Sequence, residues 1–135
     1  MDLGFFGFLH GRIATAMVLF AAAAGVWGLV EYFRKHEVSP SYWGIIVVGN
    51  LTAVAQGILG LILAIGGGQP ARAWIHILYG IVALMWIPLI NFFNGMGHKE
   101  QAGTRETLIV ALVSLFEAGI ALRAITTATT TGPGF

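Results

Sequence analysis

His10 and His76 are the residues best placed to do chemistry. Each lies near the start of a long apolar segment, His10 in FLHGRIATAMVLF and His76 in PARAWIHILYGIVALMWIPLIN. In an up-and-down set of helices, the first and third segments run the same way and lie diagonally across the bundle. The two imidazoles would then sit at like depth. Neutral imidazole is a good ligand for haem iron, and two of them on opposite helices could hold a haem edge-on in a bundle core. A flat cofactor needs small neighbours. Ala14 and Met17 follow His10 by one and two turns, and Gly80 and Ala83 stand likewise to His76. Arg12, Arg72 or Arg123 could pair with propionates at that end. The competing reading is an interfacial histidine that binds nothing, and His36 and His98, in loops among charges, are read that way. A chlorophyll-type pigment also accepts histidine, so the residue types do not choose between tetrapyrroles.

The second chemical candidate is Glu117, near the middle of the fourth apolar segment. A charged side chain at the bilayer centre costs about 2.5–3.5 kcal/mol on insertion scales unless it is neutralised or paired. Glu117 is therefore expected to face the bundle interior, protonated, hydrogen-bonded or both. Gln56, near the middle of the second segment, and Ser114 are its expected partners. A lone membrane carboxyl can also carry protons in a small antiporter, or line a proton or quinone path. Small multidrug antiporters place their carboxyl in the first helix, whereas Glu31 here stands only at that helix's exit.

These residues must be positioned by membrane helices. Of the 135 residues 57% are hydrophobic and 10% charged, and the mean hydropathy is +0.83. Soluble domains carry about 25% charged residues. Spanning takes about 20 mainly apolar residues, and four windows qualify, at about 8–33, 42–65, 70–91 and 106–125, within one domain covering 1–135. The expected architecture is an all-α integral membrane protein, an antiparallel up-down-up-down four-helix transmembrane bundle. Pro40 suits a first helical turn. Gly66, Gly67 and Gly68 should end the second helix, and Pro88 should kink the third about one turn earlier. Thr104, followed by Glu106, suits a helix start. The polar tail 126–135 should fray or dock on a partner. The first segment is read as a retained helix rather than a signal peptide, because no Lys or Arg precedes its apolar run.

Several classes are excluded. A net charge of +1 gives no electrostatic case for nucleic acid. The absence of cysteine removes disulfides, thiolate metal sites and cysteine nucleophiles. The three glycines have no following Lys-Ser/Thr, so they are not a phosphate loop. The positive charges nearly balance. Arg12, Arg72 and Arg123 fall on the side of the termini, and Arg34, Lys35, Lys99 and Arg105 on the other. Three against four places both termini outside, in what is read as a bacterial plasma membrane.

The motifs HGRIA and WIHILYG, opening alternate helices, resemble those of small haem-binding membrane bundles. Examples are one half of haem A synthase and the two-haem transmembrane cytochromes of the ascorbate-reducible kind. The two-haem cytochromes need four ligands. Two of the four histidines here lie in loops, so the resemblance implies at most one haem, on His10 and His76.

The expectation is a b-type haem between the first and third helices, serving electron transfer as a protein or subunit of a respiratory or photosynthetic membrane complex. The axial ligands would be His10 and His76, packed by Ala14, Gly80 and Ala83, with propionates on Arg12 and Arg72. One alternative is a cofactor-free accessory subunit. Another is a proton-coupled small transporter centred on Glu117. Expected partners are the lipid bilayer and other membrane subunits or further copies of the chain. No substrate site is legible, which favours a redox or accessory role over an enzyme.

Overall fold

The computed structural model describes residues 2–89, 92 and 104–129. They form four helices, and no strand occurs among them: α1 Leu3–Phe33, α2 Pro40–Ile65, α3 Ala73–Leu84 and α4 Thr104–Thr129. Three of these elements are long and apolar enough to cross a membrane: Leu3–Phe33, Pro40–Ile65 and Arg105–Thr129. Asn91, His98, Lys99 and the tail beyond Thr129 lie outside the described residues.

The first two helices begin and end where a particular group satisfies the free backbone. Asp2 caps α1, its carboxylate accepting from the N–H groups of Gly4 at 3.0 Å and Phe5 at 3.3 Å. This cap starts the helix five residues before the expected Phe8. Ser39 caps α2 by accepting from Tyr42 N–H at 3.1 Å, with Pro40 in the first turn. At the end of α1, Lys35 takes the left-handed conformation, φ +60°, while His36 N–H donates to Glu31 O at 2.8 Å. Gly67, φ +85°, does the same for α2, with Gly68 N–H on Leu63 O at 2.8 Å. Both are left-handed helix stops of the Schellman kind, and the second uses glycine, which adopts that conformation without steric cost.

The third segment departs from expectation at both ends. Helix α3 begins at Ala73 rather than Pro70 and gives way to a turn at Met85, after which residues 86–89 are again helical. The break lies one turn before Pro88, where the missing N–H leaves the Leu84 carbonyl without its usual donor. The last helix is longer than expected. It runs to Thr129, and within its last turns Thr126 and Thr127 bond back to carbonyls three residues earlier and Thr129 to one four earlier. The link before α3 also docks there. Ala71 N–H donates to Ala128 O at 3.1 Å and Arg72 N–H to Thr127 O at 2.9 Å.

Helix α1 packs against α2 and α4, and α3 packs against α4 and more lightly against α2. Among the described residues α1 does not meet α3, nor α2 meet α4, at close backbone range. Glycines set the closest approaches. Gly28 admits the Tyr42 hydroxyl and Ala111, Gly25 seats Leu115, and Gly49 lies under the ring of Trp86. Tyr42 then donates to Ala24 O at 2.8 Å, joining α2 to the α1 backbone. The core gathers around Met17, Ala21, Ala24, Tyr42, Ile46 and Trp86. Large apolar side chains such as Phe8, Leu19, Leu51 and Phe116 point outward, as they do on helices whose surroundings are hydrocarbon.

Candidate functional site

The packing leaves one end of the bundle open between all four helices. A cavity of about 390 Å³ is bounded there by α1, α2, α3 and α4, within the range of small-molecule and cofactor sites. Small side chains make the room: Gly11 and Ala14 on α1, Gly57 and Gly60 on α2, Gly80 on α3 and Ala121 on α4. A Cβ added at Gly11 or Gly80 would meet nothing within 4 Å.

His10 and His76 both line this cavity. Their ring centres are 6.1 Å apart and their planes stand at 75°. Two imidazoles on opposite sides of one metal, at nitrogen distances of about 2.0–2.1 Å, have ring centres about 6 Å apart. Rotation about the shared axis leaves their mutual angle free. The separation therefore suits two axial ligands of a single iron.

The two rings are held differently. His76 Nδ1 lies 2.8 Å from Ala124 O. A carbonyl oxygen only accepts, so Nδ1 carries the hydrogen and Nε2 keeps its lone pair. Metal-bound histidines are commonly oriented by this kind of outer hydrogen bond, which also makes the ring a better donor. The Ala124 carbonyl accepts in addition from Thr127 Oγ1 at 2.9 Å. His10 rests against the α2 backbone, where a Cβ at Gly60 would lie 3.4 Å from its Cε1. Its Nδ1 is buried and makes no hydrogen bond. Buried polar atoms are rarely left so.

Of the expected packing residues, Ala14, Gly80 and Ala83 all line the cavity, as does Met17. The expected propionate partners do not. Arg12 is exposed, with its guanidinium 5.3 Å from the centre of the Phe8 ring. Arg72 stands at the N-cap of α3, and Arg123 lies over Tyr79 at 5.9 Å. Gln56 lines the cavity, whereas Glu117 is buried outside its lining. Gln56 Oε1 and Glu117 Oε1 each lack a hydrogen-bond partner, so the expected bond between these side chains is not made.

Two contributors were not legible as site residues. Ala124 acts through its carbonyl, which every residue possesses. Gly60 reads as one more small residue on a packed helix. Among the described residues no cluster of three or more His, Cys, Asp or Glu side chains could hold a bare metal ion. Two histidines are nevertheless a complete protein ligand set for an iron whose other four ligands are macrocycle nitrogens. No family model, curated protein or solved structure matches the chain.

Proposed function

We propose that the chain is an up-down-up-down four-helix integral membrane protein that binds one b-type haem between α1 and α3. Its role on this reading is electron transfer, as a small protein or as a subunit of a respiratory or photosynthetic membrane complex. The carrying observation is the pair His10 and His76, 6.1 Å apart in a cavity lined with small residues. The topology is supported by contacts between opposite ends of neighbouring helices. Leu3 meets Gly66, Gly28 meets Tyr42, and His76 bonds to Ala124. The balance of positive charges favours termini outside a bacterial plasma membrane.

Bound haem supplies a one-electron couple. The protein's part is to hold and tune it. His76 offers Nε2 because Ala124 takes the Nδ1 hydrogen. His10 offers a nitrogen from a ring braced on Gly60. The largely apolar lining limits water, and burial and axial ligation are the main levers on a haem potential.

The test is an absorption spectrum of protein purified in mild detergent from cells supplied with haem precursor. A Soret band is expected, with α and β bands that sharpen on dithionite reduction and with large losses in His10→Ala and His76→Ala. A wild-type preparation with no band above the aromatic region, even after haem is added, would overturn the reading.

A further inference from the structure

Directly beneath the cavity lies a second group of polar atoms. Trp86 Nε1, Ser114 Oγ and Glu117 Oε1 are all buried, and none has a hydrogen-bond partner. Trp86 is 1% exposed, Ser114 0% and Glu117 2%. The hydrogen bonds between α3 and α4 set their common depth. His76 is joined to Ala124, and Arg72 to Thr127, so residue numbers fall on one helix as they rise on the other. Trp86 is ten residues beyond His76, and Ser114 is ten before Ala124. At 1.5 Å per residue both lie about 15 Å further in. Glu117 is one turn from Ser114 on the same helix. Ala121 and Ala83, which line the cavity, stand one turn away from Glu117 and Trp86.

Three orphaned polar atoms at one depth of an apolar bundle are suited to a common partner. Buried water usually makes about three hydrogen bonds to otherwise unsatisfied groups. Here the indole N–H donates, and the hydroxyl and a carboxylic acid both donate and accept. By the same registers α1 presents Ala21 and Ala24 to this layer and α2 presents Ile46, none of which is charged. The Tyr42 hydroxyl, bound to Ala24 O, lies beside Ser114, and the other titratable groups nearby are the cavity histidines.

We propose that Trp86, Ser114 and Glu117 form an internal water site in which Glu117 is a carboxylic acid, its proton exchanging with solvent through the cavity above. The exchange swaps one hydrogen for another and leaves the charge of the site unchanged. The site does not depend on the haem reading.

Infrared spectroscopy of the protein in phosphatidylcholine nanodiscs, in H2O and then D2O at neutral pH, tests the site. A carboxylic acid carbonyl band is expected that moves to lower frequency in D2O and is absent in Glu117→Gln. Ser114→Ala should keep the band but shift it. No band assignable to Glu117, or one indifferent to D2O, overturns the proposal. If Glu117→Gln does not fold, Ser114→Ala and Trp86→Phe decide, and a band unmoved in both overturns it. A preparation with this band but no Soret absorbance would remove the haem reading and leave the water site standing.

Discussion

Ala124 illustrates how little of a site need be written in side chains. Its carbonyl fixes the ring of His76, yet no substitution at position 124 removes that carbonyl. The histidines themselves were legible, because imidazole inside an apolar segment is rare and costly. Their separation was not, since it depends on how closely α1 and α3 approach across the bundle. Glycine controls that approach, which gives two predictions with opposite mechanisms. In Gly60→Val the branched methyls reach beyond the Cβ position, already 3.4 Å from His10 Cε1, and displace the ring. The Soret absorbance per protein should fall several-fold, with helix content by circular dichroism retained. In Gly80→Leu the new side chain meets no protein atom near its Cβ and enters the cavity. It should abolish haem uptake while leaving the thermal midpoint of the haem-free protein unchanged or raised, because it fills a void.

The elements were read well where hydrophobic runs define them and poorly where single hydrogen bonds do. The core of each segment follows from its apolar length. Asp2 was missed as a cap because the residues after it include two glycines, which carry low helix propensity. The helical turn over Thr126–Thr129 was missed for a related reason. Threonine is a weak helix former on its own, and what holds it here is the docking of Ala71 and Arg72 onto α4. The sequence does not show which small residue of α1 is intolerant of a larger side chain. Gly28 is, because a Cβ there would overlap both the Tyr42 hydroxyl and Ala111. Gly28→Ala should cost about 1–3 kcal/mol, the usual range for overpacking, and lower the thermal midpoint in detergent. Gly7→Ala is the matched control on the same helix, since a Cβ at Gly7 meets nothing within 4 Å. It should be neutral or slightly stabilising. Equal effects at both positions would mean that helix propensity, not the Tyr42 contact, governs α1.

At the scale of the molecule, three features bear on one another: a cavity near one end, a buried polar layer beneath it and an apolar exterior. An electron held in the cavity would place charge in a medium of low dielectric, where a buried polar layer matters more than it would in water. That coupling has a direction across the membrane only if the histidine-bearing end faces one side consistently. The chain has no cysteine, so single cysteines report sidedness without background. Gln69, in the link before α3, and Glu37, between α1 and α2, are both exposed. The proposed four crossings would put these links on opposite sides, and the charge balance would put the first inside. In intact cells a membrane-impermeant maleimide should label Gln69→Cys, and Glu37→Cys only after permeabilisation. Arg105, exposed at the start of α4, should behave as Glu37 does. The reverse pattern would invert the orientation and keep the topology. Labelling of Gln69→Cys and Glu37→Cys from the same side would sink the four-crossing arrangement, and with it a transmembrane direction for any charge held between His10, His76 and Glu117.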